Sequence, residues 1–213
     1  MFSALSLRMR RRSFRRRISD SPLTQLWSTT RCDVDYESVL SLDLETTGLD
    51  PKHDDIVSMG WVALERGRIR LSTASHLLIR SSAPIAASAT IHGIREMDRQ
   101  QGIEATDGLA QLLDAMQGKT LLIHGARLDI GVLDRYCRAA YGAPLLVPLI
   151  DTLALAQQRA ARASQPPAQG ALRLMSLRKE HGLPDATSHN ALGDALATAE
   201  LALAMLPELR QTS

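Results

Sequence analysis

Aromatic side chains are scarce in this 213-residue sequence, since Phe, Trp and Tyr together make up only 3% of it. Both phenylalanines, Phe2 and Phe14, lie close to the amino terminus. Proteins that hold long single-stranded nucleic acids usually stack successive bases on several aromatic rings. The composition therefore argues against a broad base-stacking surface in the body of the protein.

Cysteines and long apolar runs are also lacking. Cys32 and Cys137 are too few to staple a chain of this length, and neither lies in a metal-ligand spacing. No apolar run approaches the roughly 18 residues that are needed to span a bilayer. We therefore expect reduced thiols, a soluble cytoplasmic protein and no membrane partner.

Acidic residues are absent before Asp20, whereas seven arginines lie between Arg8 and Arg17. Without those seven, 18 basic residues face 23 acidic ones, a net charge of about −5 for the rest of the chain. The sequence predicts a basic, partly disordered arm with a short helix at 1–37, an α/β domain at 38–208 and a tail at 209–213. The arm either touches nucleic acid or is a solvated extension, and its composition leaves both alternatives open.

Hydrophobic periodicity indicates strands first and helices later. An alternating run at 38–44 predicts the first strand, and two more strands at 56–65 and 68–79 complete an antiparallel meander. Short apolar strands follow at 120–124 and 145–150. Helices are expected at 94–101, 107–116, 127–141, 174–181 and 190–206, with another beginning at Asp151 or Thr152. This order predicts a mixed five-stranded sheet with helices on both faces.

A pair of carboxylates marks the end of the first predicted strand, in the sequence Asp43-Leu44-Glu45-Thr46-Thr47-Gly48. Side chains alternate along a strand, so Asp43 and Glu45 project from one face, about 7 Å apart along it. Leu42 and Leu44 then point to the opposite face and into the core. Gly48 either allows a close backbone approach or adopts a positive φ.

Two further carboxylates begin predicted helices. Asp129 follows the fourth strand, and Asp194 lies in the segment His189-Asn190-Ala191-Leu192-Gly193-Asp194. Five helical residues correspond to roughly 140° of rotation, so His189 and Asp194 cannot face one way within one helix. We therefore place His189 on the loop before the last helix.

Four carboxylates and one histidine suit phosphodiester hydrolysis with two metals. Hard carboxylate oxygens from Asp43, Glu45, Asp129 and Asp194 favour Mg²⁺ or Mn²⁺, which would activate water and neutralise the leaving oxygen. The imidazole of His189, with an ordinary pKa of about 6.5, suits a general base. Taken singly, each residue also has a structural explanation, such as a solvated strand end or a helix cap.

These motifs resemble the DnaQ-like, or DEDDh, 3′→5′ exonuclease superfamily, which includes the epsilon proofreading subunit of bacterial DNA polymerase III. The pattern Asp-x-Glu-Thr-Thr-Gly, then Asp, then His-x-x-x-x-Asp covers about residues 38–206. The resemblance implies a ribonuclease H-like fold and release of nucleoside monophosphates from single-stranded 3′ ends, with DNA as the substrate. It also implies contacts with the terminal nucleotides, for which we expect Thr46, Thr47, Gly48, Leu49, His92 and Ile94.

The sequence also departs from the family pattern. Gly125 stands where an asparagine is usual in the second motif, and Leu128 stands where a phenylalanine is usual. Asp151-Thr152-Leu153 resembles a family helix start, and we expect Asp151 to cap that helix rather than bind metal. Alternatives are an RNA-trimming or short-oligonucleotide ribonuclease, a non-catalytic module that binds nucleic acid or a polymerase, and a phosphoesterase of small nucleotides. A polymerase or another replication or repair protein is a candidate partner, and the oligomeric state is open, with a homodimer as one alternative.

Overall fold

The computed structural model of the protein describes residues 3–18, 20–80, 101–163, 165–186 and 190–209. The chain opens with two helices, α1 (Ala4–Phe14) and α2 (Pro22–Thr29). Strands β1 (Ser38–Thr46), β2 (Ile56–Glu65) and β3 (Arg68–Leu78) follow. The remaining elements are α3 (Ala105–Ala115), β4 (Thr120–Ile123), α4 (Arg127–Tyr141), β5 (Leu149–Asp151), α5 (Thr152–Ala160), α6 (Leu174–Glu180) and α7 (Ala191–Leu209).

The five strands form one sheet in the order β3-β2-β1-β4-β5. Strands β1, β2 and β3 pair antiparallel, whereas β4 is parallel to β1 and β5 is parallel to β4. The predicted mixed sheet is therefore confirmed, including the meander that precedes the parallel strands. Because β1 is central and parallel to β4, side chains at its carboxyl end lie at the edge of the sheet where α4 follows β4.

Side-chain alternation along β1 sorts the two faces of the sheet. Leu40, Leu42 and Leu44 are buried in a core that includes residues of α2, α3 and α4. On the other face, Val39 packs in a second cluster with residues of α5, α6 and α7. Each buried leucine stabilises the fold by about 1.5–3 kcal/mol. Helices on both faces, as predicted, hold β1 in place.

Several predicted boundaries shift in the structure. Helix α4 runs from Arg127 to Tyr141 as predicted and ends at Gly142, whose φ is 74°. Helix α3 begins at Ala105, earlier than the predicted residue 107, with Glu104 at the cap position and no capping side chain. The helix predicted at 94–101 lies, apart from its last residue, outside the described residues.

The fifth strand is shorter than the predicted 145–150. Leu145, Leu146 and Val147 are buried, yet pairing with β4 begins only at Leu149. Pro148 has no N–H to donate to a neighbouring strand, although its carbonyl accepts a hydrogen bond from Leu121 N at 3.0 Å. The apolar run thus indicated burial correctly but not strand pairing.

The amino-terminal segment packs through several apolar side chains. Leu7 on α1, Ile18 after it, and Leu23 and Leu26 on α2 are each at most 2% exposed. Arg11 is also buried, and its Nε donates to the Leu146 carbonyl at 2.9 Å. The arginine run obscured this apolar spacing in the sequence. The domain boundary at residue 37 stays a prediction. Within the described ranges, no helix is both long and apolar enough to cross a membrane.

Candidate active site

Strand β1 delivers the first two carboxylates to the face opposite its core leucines. Leu42 and Leu44 are 0% and 7% exposed in the core, so Asp43 and Glu45 must project to the other side. Glu45 is itself buried, and it lies opposite Ser58 where the β1–β2 register shifts between Glu45 and Thr46. The pairing irregularity therefore coincides with the end of the carboxylate pair.

The first turn of α7 brings Asp194 to the same place. The side chain of Asn190 caps the amino terminus of this helix. Its Oδ1 accepts hydrogen bonds from Leu192 N at 3.1 Å and Gly193 N at 3.2 Å. Asp194 N donates to the Asn190 carbonyl at 2.9 Å. One ligand oxygen from each of Asp43, Glu45 and Asp194 lies within 4.8 Å of the others. Residues 151 positions apart in the sequence therefore form one carboxylate triad.

Asp129, in the first turn of α4, lies beside this triad and is held by the strand. Its Oδ1 accepts a hydrogen bond from Leu44 N at 3.2 Å, and the residue is 7% exposed. Charge repulsion from Asp129 raises the pKa of both Asp43 and Glu45. The structure thus brings all four predicted carboxylates together, with three grouped tightly and Asp129 against the backbone between Asp43 and Glu45.

Burial and mutual repulsion raise the pKa values of the carboxylates in the site. Burial, followed by the charges of Asp194 and Asp129, raises the pKa of Glu45 from 4.5 to about 7. Burial likewise raises the pKa of Asp129 to about 7, against the lowering effect of its hydrogen bonds with backbone N–H groups. Burial and the three neighbouring carboxylates raise the pKa of Asp43 well above its ordinary value. A cation at this position would relieve the repulsion.

The donor set fits a hard divalent cation. All ligand candidates are carboxylate oxygens, the type that Mg²⁺ and Mn²⁺ prefer, and no thiol lies among them. Carboxylates that are buried close together repel one another, and a divalent ion compensates several negative charges at once. The triad of Asp43, Glu45 and Asp194 could therefore bind at least one metal ion, with Asp129 available at its edge.

Three predicted site residues lie outside the described residues: His189, His92 and Ile94. Helix α7 begins at Ala191, and the placement of His189 on a loop before it stays a prediction. Its role as a base, and the roles of His92 and Ile94 in substrate contact, stay predictions.

The loop after β1 exposes the apolar side chain of Leu49. Thr46 and Thr47 are buried, and their hydroxyl groups bond within the loop, to the Gly48 carbonyl at 2.6 Å and to Asp54 Oδ1 at 3.1 Å. A Cβ at Gly48 would lie 2.5 Å from Asp54 Oδ2, so this glycine serves a close approach rather than a positive φ. Leu49 is 87% exposed beside these residues and is free to contact a ligand.

Helix α4 also shapes this loop, which the sequence did not reveal. Arg135 donates through Nε to the Pro51 carbonyl at 3.2 Å and through Nη2 to the Asp54 carbonyl. The Tyr136 hydroxyl lies 3.1 Å from Asp55 Oδ1. The helix that carries Asp129 thus also fixes the loop that carries Leu49.

Two contacts of β1 and β2 with α7 position Asp194 and were likewise missed. The Ser41 hydroxyl, fully buried, donates to the Ala195 carbonyl at 2.7 Å. A Cβ at Gly60 would lie 2.1 Å from Leu192 N, so the sheet contacts the helix backbone directly there. Ser41 lies two residues before Asp43 on the same face, and this alternation was the one available signal in the sequence.

Asp151 caps α5, as predicted, and also braces the start of α4. Its carboxylate accepts hydrogen bonds from Leu153 N at 3.0 Å and Ala154 N at 3.3 Å, and from Gly125 N at 2.9 Å and Ala126 N at 3.0 Å. Gly125 has a φ of +83°, a backbone conformation for which glycine is well suited. The departure from asparagine at this position is therefore compatible with the local geometry.

Comparison with known proteins agrees with this fold. The exonuclease family model, RNase_T, matches residues 40–202, more than half of the chain. The chain belongs to this family of exonucleases, and the predicted membership of the DnaQ-like 3′→5′ exonuclease superfamily is confirmed. The family is one of the expected enzyme class, the exonucleases among the hydrolases.

Named relatives share the domain but are much longer proteins. The chain is 31% identical over 173 residues to the PolC-type DNA polymerase III of Thermotoga petrophila, covering 80% of this chain and 12% of that protein. It is 30% identical to a DNA polymerase III subunit epsilon-like protein of Rhodobacter capsulatus, covering 83% of this chain and 25% of that protein. The chain therefore spans a quarter or less of the length of these two relatives.

A solved structure confirms the ribonuclease H-like fold. The zinc-bound complex of E. coli exonuclease I with single-stranded DNA superposes with a TM-score of 0.70 at 16% identity. The match covers 82% of this chain and 42% of that one. At this identity the similarity establishes the architecture, and the chemistry depends on the side chains described above.

Proposed function

We propose that this chain hydrolyses phosphodiester bonds at single-stranded DNA 3′ ends and releases nucleoside monophosphates. The observation that carries the proposal is the triad of Asp43, Glu45 and Asp194, whose ligand oxygens lie within 4.8 Å of one another in an exonuclease-family fold. Asp129 adds a fourth carboxylate beside them. A non-catalytic module would have no need to retain four mutually repelling acids in a partly buried cluster.

We assign two divalent cations, Mg²⁺ or Mn²⁺, to this site. Bound there, such ions supply a water nucleophile at neutral pH and stabilise the charge that develops on the phosphate and the leaving oxygen. Asp43, Glu45 and Asp194 would hold the ions, and Asp129 would complete the ligand set from α4. The protein contributes fixed ligand positions, because β1 and two helix starts define them.

His189 is the proposed general base. It lies in the sequence five residues before Asp194 and directly before Asn190, which caps α7. An imidazole with an ordinary pKa near 6.5 accepts a proton at about neutral pH, when a carboxylate engaged with a cation does not. Leu49, with His92 and Ile94, would contact the terminal base and sugar, while Thr46, Thr47 and Gly48 hold the loop that presents Leu49.

DNA is proposed as the substrate on the basis of the relatives. Two of them are named as DNA polymerase III proteins, and a structural neighbour is complexed with single-stranded DNA. Association with a replication polymerase or repair protein is proposed on the same ground. None of the described site residues supplies a contact that selects the 2′-hydroxyl, so the sugar preference has to be measured directly.

The test is a time course with 5′-labelled single-stranded DNA and RNA of identical sequence, with Mg²⁺, Mn²⁺ or EDTA. The proposal predicts a ladder that shortens from the 3′ end of DNA, depends on metal and disappears in Asp43→Asn. His189→Ala should lower the rate strongly yet leave metal binding intact, since it is proposed as a base and not a ligand. The matched control, His53→Ala, alters an exposed histidine that is paired with Asp50, outside the carboxylate cluster.

Each outcome is decisive. Full-length DNA that persists in metal with folded protein contradicts the proposed nuclease. Faster shortening of RNA replaces the DNA assignment with ribonuclease activity on the same site. Cleavage that survives in Asp43→Asn contradicts the assignment of the carboxylates.

A further inference from the structure

A cleft of about 250 Å³ opens between α1 and α2, and it takes no part in the carboxylate cluster. It is lined by basic, hydroxyl and apolar side chains: Arg11, Arg12, Arg15, Ile18, Thr24, Trp27 and Ser28. No acidic residue is among them. This cleft concentrates positive charge on a protein whose remaining residues are net negative.

Arg11 is fixed at the base of the cleft. It is 8% exposed, and its Nη1 donates to the carbonyls of Thr30 at 2.7 Å and Trp27 at 3.3 Å. Together with the bond from Nε to Leu146, these bonds engage two of the three guanidinium nitrogens. Its Nη2 is buried and has no hydrogen-bond partner within the described part of the chain. Burial also lowers the pKa of Arg11, as expected for a cation without a nearby carboxylate.

Other donors surround Arg11. The Nε1 of Trp27 is buried and likewise makes no hydrogen bond within the described ranges. Arg12 and Arg15 are exposed, and neither forms an ion pair with a described residue. The guanidinium of Arg11 lies 5.9 Å from the centroid of the Trp27 ring. The cleft thus presents the exposed guanidinium groups of Arg12 and Arg15 next to the half-buried ring of Trp27, while the unpaired donors of Arg11 and Trp27 are buried in its lining.

This combination matches the chemistry of a nucleotide unit. Guanidinium groups bind phosphate oxygens with paired, charge-assisted hydrogen bonds. Aromatic rings stack on bases without regard to their sequence. We propose that the α1–α2 cleft binds an internal phosphate and its base in a nucleic-acid strand, as a second contact that is separate from the carboxylate cluster. The proposal rests on the proposed function for the identity of the strand.

The cleft lies apart from the carboxylates, because α2 packs on the face of the sheet that carries the buried leucines of β1. Leu7 of α1 lines a second, largely apolar cleft together with Ala126 and Arg127, at the start of the helix that carries Asp129. From Leu7 to Arg15, α1 advances about 12 Å. A strand held at the carboxylates would therefore need several nucleotides to reach the arginines. Short substrates should not use the cleft.

The test compares Arg12→Ala/Arg15→Ala with a control of equal charge change, Arg68→Ala/Arg162→Ala. All four arginines are exposed, so each double variant should fold. Binding of labelled single-stranded DNA is measured by fluorescence anisotropy in EDTA, where no cleavage is needed. One oligonucleotide has about 4 nucleotides and the other exceeds the roughly 16 nucleotides of large single-strand sites.

The Arg12→Ala/Arg15→Ala variant should bind the long strand at least about 10-fold more weakly, the effect of losing a charge-assisted hydrogen bond. The slope of log affinity against log salt should fall by about 1.4, for two lost phosphate contacts. Affinity for the short strand, and kcat with it, should not change. In a Trp61→Phe background, the long strand should quench the fluorescence of Trp27, and the double variant should remove this quenching.

Several results would overturn the proposal. An equal loss of affinity for the long strand in the Arg68→Ala/Arg162→Ala control would show that the effect comes from net charge alone. Equal losses for both strand lengths would place the arginines at the catalytic end. Binding of polyglutamate, inorganic phosphate or anionic lipid vesicles with the affinity of DNA would make the cleft a general anion or membrane-surface site. Binding is measured in EDTA and does not require cleavage. The binding result can therefore be obtained even if the nuclease assay fails.

Discussion

Gly60 lies directly against the backbone of Leu192, because a Cβ built on Gly60 would fall 2.1 Å from the Leu192 nitrogen. Gly60 pairs with Asp43 across the β1–β2 ladder, and Leu192 lies two residues before Asp194. Together with the hydrogen bond from Ser41 to the Ala195 carbonyl, this contact sets the distance between the strand carboxylates and the helix carboxylate. The sheet and α7 can approach so closely only because position 60 has no side chain.

Gly60→Ala should therefore displace the start of α7 and impair the site. Overpacking typically costs about 1–3 kcal/mol of stability, and a backbone neighbour cannot rotate out of the way. A displacement of about 1 Å at Asp194 would lower turnover by about 100-fold. Thermal unfolding and kcat on labelled DNA measure the two effects. Gly67→Asn is the control, since Gly67 has a positive φ that asparagine tolerates and nothing within 4 Å of a built Cβ.

Arg178 on α6 joins α7 to the segment that leads toward His189. Its Nη1 donates to the Ala197 carbonyl at 2.9 Å and its Nη2 to the Pro184 carbonyl at 3.0 Å, and it pairs with Glu200 at 2.6 Å. Arg178→Met should lower stability by several kcal/mol, because the buried carbonyls lose their donors at about 1–3 kcal/mol each. Denaturant unfolding checks this value.

If Arg178 also positions the site, kcat should fall more than KM changes, and Arg178→Lys should recover part of kcat. Arg159→Met provides the control. It breaks an exposed ion pair between Arg159 on α5 and Glu180 on α6, the helix that carries Arg178. Such a pair contributes about 0–1 kcal/mol. A full kcat in Arg178→Met at a temperature where the variant is folded would limit Arg178 to a role in stability.

The metal-free protein should lose stability as the pH rises. The pKa of Glu45 is about 7 in the fold, against an ordinary value of 4.5, so the folded state binds more protons between these values. A raised carboxyl pKa means that ionisation opposes folding, and the slope of stability against pH is negative over that interval. Asp129, with a pKa of about 7, contributes in the same direction.

Melting temperatures in EDTA should accordingly fall between about pH 4.5 and pH 7, and Mn²⁺ should restore them most at the upper end. Asp43→Asn should raise the metal-free melting temperature at neutral pH, because it removes one of the repelling charges. A flat profile in EDTA, or stabilisation by Mn²⁺ that does not grow with pH, would show that the carboxylates do not repel one another.

Asp151 should affect the site without binding metal. Asp151→Ala removes a helix cap, at a cost of about 0.5–2 kcal/mol, and releases Gly125 N and Ala126 N before the helix that carries Asp129. We expect lower stability and a moderate loss of kcat, with partial recovery in Asp151→Asn, which keeps one acceptor oxygen. Calorimetric titration with Mn²⁺ separates the alternatives, since a direct ligand would lose affinity in both variants.

Local signals predicted the carboxylates on β1 and the course of α4. Strand alternation alone separated Asp43 and Glu45 from Leu42 and Leu44, and Gly142 marked the helix end. Both signals are local, because they depend on neighbours within a few residues.

Long-range backbone contacts could not be predicted in this way. Arg178 bonds to carbonyls, and Gly60 contacts a helix backbone, so neither has a partner that a sequence pattern identifies. The burial of Arg11 could not be predicted for another reason. A run of arginines indicates a solvated segment on average, and nothing in it marks the one member that is buried.

The most direct test of the account is a calorimetric titration of Mn²⁺ into the intact chain and into Glu45→Gln and Asp194→Asn. The account predicts binding to the unaltered chain at neutral pH, with release of protons, and at least about 10-fold weaker binding in each variant, as one charged ligand is lost. Unchanged Mn²⁺ affinity in both folded variants, or no binding to the unaltered chain, would contradict a metal centre formed by β1 and α7.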